Sequence, residues 1–476
     1  MTLTLRPYQT AGVEFLRARD RAFLADEAGL GKSSQLLTAA AAHPGPILVV
    51  MPAMVLAGGV WQDEIAKWVP DQADRIHLTS YTRLGSQNPG GLQPDKGYYQ
   101  QPARWARLLN PEVNQRWGAV ILDEAHYLKG RGSLRSNYAQ AVAARADRTY
   151  LASGTPIPNF APELFPLLQA LNPDQARPGG DYGSYWRWVA RWFHVTPNPY
   201  TRYAIGSMRG CTDACATRPP HDPCEHYREF AAAELGGVFL QRRRDEVLTD
   251  LPPLTEVTVE VPMGAKQRAA YRSLKKTMVA DLGDGDRAVA WSQSAAHVML
   301  DQLTTGLDLL TDRRPVKPRA DNAKLARLAE DLEGRSRPTL VMAHYQSTVE
   351  ACVQVAAGLG LKAEAVYGPV PAAARTRRVR QFQAGELDVL VGSLETLAEG
   401  LTLVAADLVV FVERSWKPSR NEQALRRIHR IGQTRPVTAL DYVTPGSIDA
   451  GKRELLAVKT DHQMRVLTAA ELARIA

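Results

Sequence analysis

Three short runs in this chain hold residue types at spacings suited to phosphate chemistry. The first is DEAGLGKS, Asp26 to Ser33. Gly29 and Gly31 let backbone N–H groups approach a polyphosphate, with Leu30 between them in the cradle. Lys32 supplies a point charge to the terminal phosphates, and the Ser33 hydroxyl can ligate magnesium. The usual pattern opens on glycine, where this chain has Asp26. The second run is Asp123-Glu124-Ala125-His126. Asp123 can hold magnesium through water while Glu124 orients and deprotonates an attacking water, because in-line displacement at phosphorus needs a base beside the metal ligand and distinct from it. The third is NEQALRRIHRIGQ, Asn421 to Gln433, whose pattern predicts a helix. Arg427 and Arg430, three apart, then share a face while Arg426 points elsewhere. Two guanidinium groups on one face can neutralise charge on a transferring γ-phosphate, and supplying them from another lobe makes hydrolysis conditional on closure. Taken singly, the three runs read as a Gly-rich turn, a solvated acidic pair and a basic helix face.

The elements that must position these residues are short buried-type strands alternating with helices, which is the pattern of parallel α/β architecture. A first block predicts strands at Arg21 to Ala25, Ile47 to Met51, Val120 to Leu122 and Arg148 to Ala152. The glycine-rich run follows the first of these strands and precedes a helical stretch, Gln35 to Ala42. The acidic pair follows Ala119 to Leu122, at the carboxyl end of a strand, where such sheets bind ligands. A second block begins near Arg337, with strands at Thr339 to Ala343, Val389 to Val391, Leu408 to Val412 and Val437 to Val443. Each block predicts a sheet covered on both faces by helices. Residues 160 to 335 lack the alternation and are rich in Trp, Arg and Pro; within them 264 to 311 predict helix. Pro252-Pro253, after Gln241-Arg242-Arg243-Arg244, marks a break where a helix cannot continue. The expected division is an ATP-binding lobe over 1–160, an insertion over 161–255, a helical protrusion and linker over 256–335, a second lobe over 336–450 and a helical tail over 451–476.

At 476 residues the chain fits two domains and an insertion. Hydrophobic residues at 45% and charged residues at 23% exclude a disordered chain. Lys and Arg, 58 against 50 acidic residues, favour a polyanionic partner. No basic stretch precedes an apolar run at the N-terminus and no apolar segment is long enough to cross a bilayer, so a cytoplasmic protein, prokaryotic or viral, is expected, with no membrane partner. The four cysteines argue against a disulfide framework, since Cys352 stands alone and three cluster in CTDACATRPPHDPCEH, residues 211–226. Cys211, Cys215 and Cys224, with His226 or alternatively His221, offer the ligands of a closed structural zinc site; the other reading is three unrelated reduced thiols. The run SYWRWVARWF, Ser184 to Phe193, places Trp188 and Trp192 four apart, as the core of a helical protrusion does. Stacking on exposed bases is its alternative.

Six motifs in order, the three runs above among them, give the chain a family resemblance. They are LRPYQ (Leu5 to Gln9), DEAGLGKS, VMPA with WQDEIAKW after it (Val50 to Ala53, Trp61 to Trp68), DEAH, SGTPIPN (Ser153 to Asn159) and QALRRIHRIGQ (Gln423 to Gln433). The chain resembles the Swi/Snf-type ATPases of helicase superfamily two, and the HRIGQ ending is specific to that group. The resemblance implies a P-loop NTPase of two RecA-like parallel-sheet lobes using ATP and Mg2+; the residue pattern adds a mainly helical insertion, and a small zinc-stapled loop is one reading of its Cys/His cluster. It implies that Gln9 reads the adenine, that Thr155 couples nucleotide state to DNA, and that Gly400, in EGLTL, lies near nucleotide and DNA. It further implies a motor stepping along double-stranded DNA without necessarily parting the strands; a monomer is expected. Arg375, Arg377 and Arg378, with Lys129, Arg131, Arg135 and Arg380, are available for phosphate contacts. A strand-separating DNA or RNA helicase and a non-catalytic nucleic-acid-binding scaffold are the alternatives.

Overall fold

The computed structural model describes residues 4–86, 115–157, 160–198, 202–216, 218–219, 222–248, 251–283, 286–311, 315–397, 403–430 and 432–475. The chain divides into two compact units, residues 1–249 with 459–476, and 250–458.

The first unit is built on strands β1 (Arg21–Leu24), β2 (Ile47–Met51), β3 (Ile76–Ser80), β4 (Trp117–Leu122) and β5 (Ala146–Ala152). Farther along come a hairpin, β6 (Phe193–Asn198) and β7 (Arg202–Met208), and a short strand, β8 (Phe239–Leu240). All sheet neighbours in the order β3-β2-β4-β5-β1-β8 are parallel. Ile-Leu-Val-Val-Met in β2 and Trp-Gly-Ala-Val-Ile-Leu in β4 are buried at every position. Continuous apolar runs of this kind form only where helices cover both faces of a sheet. Strand β8 lies inside the expected insertion, yet it completes this sheet beside β1 through Phe23↔Phe239 and Leu24↔Leu240. The run after it therefore passes next to the loop that follows β1.

The rest of the insertion packs onto the first unit's core. Trp188 is buried against Phe165, Phe193 and Phe230. The Trp192 indole donates to Glu234 Oε1 at 2.6 Å and Tyr182 donates to Oε2 at 2.9 Å, so Glu234 anchors two aromatic rings. The helix Tyr185–Trp192 thus presents core at Trp188.

The second unit repeats the architecture. Its strands are β9 (Leu254–Glu260), a hairpin of β10 (Val279–Gly283) and β11 (Asp286–Val289), then β12 (Thr339–Ala343), β13 (Ala363–Val366), β14 (Val389–Ser393), β15 (Leu408–Phe411) and β16 (Val437–Val443). The sheet order β13-β14-β12-β15-β16-β9 is again wholly parallel. Two six-stranded parallel sheets dressed with helices are two RecA-like lobes.

The expectation of continuous helix over 264–311 needs correction. The helix Ala265–Thr277 stops at Met278, whose φ of 62° is left-handed, and the β10-β11 hairpin intervenes before the helix Gln293–Thr305. The cause is local. Asp281, Gly283 and Asp286 bring turn chemistry, with the Gly283 N–H donating to Asp281 Oδ1 at 3.0 Å, and Ser292 caps the next helix by accepting from Ala295 N at 3.1 Å. Among the described residues no helix is long and apolar enough to cross a membrane.

Candidate nucleotide site and associated clusters

The glycine-rich run leaves β1 and enters the helix Lys32–Ala41. Gly29 and Gly31 have φ of 91° and 71°, a region other residues avoid. At Gly31 a side chain would also strike the Gln9 amide, which lies against the loop and donates to Leu30 O at 3.3 Å. Tyr8 donates to the same carbonyl at 3.2 Å, so the helix Pro7–Arg17 is fastened to the loop by two side chains. Lys32 Nζ donates to Asp26 O at 2.8 Å and Glu27 O at 3.3 Å, which holds its ammonium over the loop beside the half-buried Ser33.

Asp26 has a role that the phosphate-loop pattern does not reveal. Its carboxylate is fully buried and receives Arg242 through both oxygens, Nε to Oδ1 at 2.9 Å and a guanidinium nitrogen to Oδ2. Gln35 Nε2 donates to Oδ2 at 3.1 Å, while Arg242 also donates to Gln35 Oε1 at 2.6 Å and to Tyr8 O. Backbone bonds from Ala25 N to Leu240 O (2.7 Å) and from Glu27 N to Arg242 O (3.2 Å) lay the loop along the segment after β8. A single guanidinium therefore ties together the loop, its helix and the helix carrying Gln9. Its signal in the sequence was the Gln241–Arg244 run, which shows basicity but not what it touches.

The acidic pair sits at the end of β4. Part of Asp123 reaches solvent, but its carboxyl lies in a protein-lined recess, with Oδ2 accepting from the Trp61 indole at 2.9 Å and Oδ1 from Glu124 N at 2.9 Å. Burial, then the neighbouring Glu124 carboxylate, pushes Asp123 up to about 6; the Trp61 indole and the Lys32 ammonium pull the other way. Glu124 has φ of 50°, a costly conformation for a residue with a side chain. Its Oε2 lies 3.2 Å from His126 Nδ1, which is also 3.1 Å from Ser153 Oγ. A carboxylate neighbour favours the Nδ1–H tautomer. Ser153 Oγ in turn accepts from the backbone N–H of Thr155 at 3.1 Å. The sequence-predicted Glu124 and Thr155 are thus brought to one junction, Glu124 by an ion-pair-range contact with His126 and Thr155 by hydrogen bonds through Ser153. Gly154 completes the junction: a Cβ there would lie 3.1 Å from Ala28 N and 3.3 Å from Lys32 Nζ.

In the second unit the predicted arginine helix needs correction. The helix Pro418–Leu425 ends before Arg427, and Arg426 to Arg430 lie in turns, so Arg427 and Arg430 share no helical face. The segment is shaped by tertiary bonds. Leu403 N donates to Arg427 O at 2.9 Å, His429 Nε2 lies 2.7 Å from Pro252 O, and Gln433 Nε2 donates to Ala406 O at 2.9 Å and Val404 O at 3.2 Å. The histidine and glutamine of HRIGQ are therefore clamps that shape the turn, in which Arg427 and Arg430 are half-buried. Gly400 lies outside the described residues.

Of the candidate phosphate contacts, Arg377 is exposed and Arg375 half-buried on the helix Ala372–Gln383. Arg378 is turned inward, pairing with Glu364 Oε2 at 2.9 Å and donating to Ala365 O at 2.6 Å. That makes it a tie between helix and β13. Cys211, Cys215, Cys224 and His226 converge, with all four ligand atoms within 4.8 Å of one another; His221 lies outside the described residues.

A parallel sheet with a phosphate loop after β1 and an Asp-Glu pair after β4, followed by a second sheet of the same kind, defines a two-lobed P-loop NTPase. The comparisons give the family. Residues 8–303 match the SNF2-related domain and residues 322–432 the helicase conserved C-terminal domain, and the chain belongs to the SNF2-related family. It is 28% identical over 455 residues to the DNA annealing helicase and endonuclease ZRANB3 of Bos taurus, covering 94% of this chain and 39% of that protein. It is 26% identical over 468 residues to the SWI/SNF-related matrix-associated actin-dependent regulator of chromatin subfamily A-like protein 1 of Xenopus tropicalis, covering 94% and 43%. The chain spans about two fifths of the length of these curated relatives. The solved Sulfolobus solfataricus SWI2/SNF2 ATPase core in complex with dsDNA aligns over 100% of this chain and 96% of that chain at 20% identity, with a TM-score of 0.40.

Proposed function

We propose that this protein is a DNA-dependent ATPase that translocates on double-stranded DNA, remodelling the duplex or displacing bound protein. The observation that carries the reading is the linkage of Glu124 through His126 and Ser153 to Thr155, beside a phosphate loop whose Lys32 acts electrostatically on Asp123. A base distinct from the metal ligand, wired to a neighbouring motif, is what a hydrolysis site answering to a second ligand needs.

The residues present fit Mg2+: Ser33 and Asp123 offer hard oxygen donors, and a cation beside Asp123 would favour the ionised form that burial opposes. Bound there, Mg2+ would neutralise charge on the phosphates. Gln9 would hold the adenine, the N–H groups around Gly29, Leu30 and Gly31 with Lys32 would hold the phosphates, and Glu124 would accept the proton of the attacking water. Arg427 and Arg430, on the second unit, would neutralise charge on the transferring γ-phosphate. Thr155 would couple nucleotide state to DNA, Gly400 would lie near both, and Arg375 and Arg377 would contact the DNA phosphates. The lobes are assigned to 1–160 completed by β8 and to 336–450 completed by β9, with the rest of 161–255, 256–335 and 451–476 as insertion, protrusion and tail. The protein acts as a monomer in the cytoplasm.

The names of the relatives, a DNA annealing helicase and a regulator of chromatin, support DNA as the partner. The test is ATP hydrolysis with no nucleic acid, duplex DNA, single-stranded DNA or RNA, for the wild type, Lys32→Ala and Glu124→Gln. Duplex DNA should stimulate the wild type, and Glu124→Gln should lower turnover by about 10²–10⁴-fold with the fold retained. Hydrolysis unchanged by these substitutions would sink the mechanism. Stimulation by single strands alone, accompanied by unwinding, would replace translocation with strand separation.

A further inference from the structure

The Cys/His cluster of the insertion is not used by the ATPase chemistry, and its geometry is specific. Cys211 follows β7, Cys215 lies in the short helix Asp213–Ala216, Cys224 stands just before the helix Glu225–Leu235, and His226 stands in that helix's first turn. Three pieces of chain thus bring three thiols and an imidazole to one point. Cys211 Sγ and Cys224 Sγ are 3.5 Å apart, Cys224 Sγ and His226 Nδ1 3.6 Å, and Cys215 Sγ and His226 Nδ1 4.0 Å. The sulfurs are too far apart for a disulfide, whose S–S bond is about 2.05 Å. They come near another figure instead, with all four ligand atoms within 4.8 Å of one another. Zn–S bonds of about 2.3 Å and Zn–N bonds of about 2.0 Å at tetrahedral angles set ligand atoms roughly 3.5–3.8 Å apart.

The histidine is oriented for this role. Gly210 has φ of 80°, and any Cβ there would collide with the Cδ2–Nε2 edge of the His226 ring. That glycine lets the ring lie flat against the backbone with Nδ1 facing the sulfurs. The loop so formed then receives the chain's last helix, Ile448–Ile475. The buried Arg465 guanidinium donates to Cys215 O at 3.0 Å, Asp222 O at 3.3 Å and Arg218 O at 3.4 Å, and is held by Asp461 at 2.8 Å. Val466, Leu467, Ala469 and Ala470 join the hydrophobic cluster that contains Cys224 and Tyr227. Three carbonyls from an irregular loop converge on one cation only if the loop is held in shape. The loop has too few apolar residues to hold itself.

We propose that Cys211, Cys215, Cys224 and His226 bind one structural zinc ion, and that this ion shapes the carbonyl receptor for Arg465 that docks the end of the last helix onto the first unit. Four protein ligands close the coordination sphere, so the ion has no open position for catalysis. Its role is to fold a loop and through it to seat residues 459–475.

The test uses the full chain expressed with zinc supplied. Elemental analysis should find about one zinc per chain, as one four-ligand site holds. Cys215→Ser and Cys224→Ser should lose it while Cys352→Ser, a buried thiol of the second unit, keeps it. Cobalt-substituted wild type should show the absorption of a tetrahedral thiolate site, lost in Cys215→Ser. Removing zinc with a thiol-directed mercurial and a chelator should raise amide exchange across 459–475 by roughly tenfold or more, as losing a charge-assisted hydrogen bond allows, while β12 and β14 exchange unchanged. Should Cys224→Ser fail to fold, the half-buried Cys215→Ser and the cobalt spectrum decide. A natively folded wild type without zinc, or undiminished zinc in Cys215→Ser, would overturn the site. Zinc loss that leaves exchange across 459–475 unchanged would overturn the receptor role.

Discussion

Replacing Arg242 by alanine tests whether the phosphate loop is held by the pairing with Asp26. The Asp26 side chain is fully excluded from solvent and that of Arg242 is only 10% exposed, so screening by water is slight. With Arg242 gone, Gln35 Nε2 is the remaining side-chain donor described to the carboxylate. Stripping one partner from a buried ion pair costs about 3–5 kcal/mol, because a buried charge is left uncompensated. At about 2–4 °C per kcal/mol for a domain of this size, melting of the first unit should fall by on the order of 10 °C. Trp61, Trp117 and Trp188 are buried in that unit, so tryptophan fluorescence in a urea titration reports its unfolding. Arg242→Ala should also raise the KM for ATP, since the same guanidinium bonds Tyr8 O and Gln35 Oε1. The decisive measurement is a double-mutant cycle with Asp26→Asn. Once Asp26 carries no charge, losing Arg242 should cost far less, and the coupling should exceed about 1.5 kcal/mol, the lower end for a hydrogen bond to a charged group. Additive losses would refute the network, leaving Arg242 as a packing residue whose charge is incidental.

Three further outcomes follow from the acidic pair and its junction. The Asp123 carboxyl titrates near 6 in the folded chain against an ordinary 3.8, so folding takes up a proton between about pH 4 and 6. Metal-free protein should therefore lose stability as pH rises through that window, by about 3 kcal/mol in all. Trp61→Phe removes a hydrogen bond to the ionised form and should extend the window upward by roughly 1–2 pH units; a stability profile that does not move would exclude that bond as a control of Asp123. Gly154→Ala sets a methyl 3.1 Å from Ala28 N and 3.3 Å from Lys32 Nζ. At the overpacking cost of about 1–3 kcal/mol it should weaken ATP binding by roughly tenfold, read as a titration of a fluorescent nucleotide, with an unchanged affinity counting against close contact between the two segments.

The chemistry was legible wherever a few adjacent residues decide it. A loop with glycines at 29 and 31, a lysine and a serine, or two acids ending an apolar strand, need no distant partner to be recognised, and β2 and β12 were readable as buried runs. What stayed hidden depends on partners far along the chain. Strand β9, Leu254 to Glu260, is mostly exposed and looks like a polar linker until β16 gives it a ladder. The pattern from Asn421 to Gln433 has helical spacing, yet the helix stops at Leu425 because Leu403 N captures the carbonyl of Arg427 and Gln433 folds back onto Ala406. Local propensity there is overruled by hydrogen bonds that sequence spacing cannot display.

Asp26 shows the same limit in sharper form. As a departure from the glycine that usually opens a phosphate loop, it weakens the motif when only neighbours are considered. In the fold it is the acceptor for Arg242, and the pair connects the loop to the helix bearing Gln9. A glycine at 26 with arginine kept at 242 would strand a nearly buried guanidinium, and an apolar residue at 242 with Asp26 kept would strand a carboxylate. Each single change is therefore worse than both together. The two positions form one element of the site, and Asp26 is part of what makes this loop work in the chain that carries it.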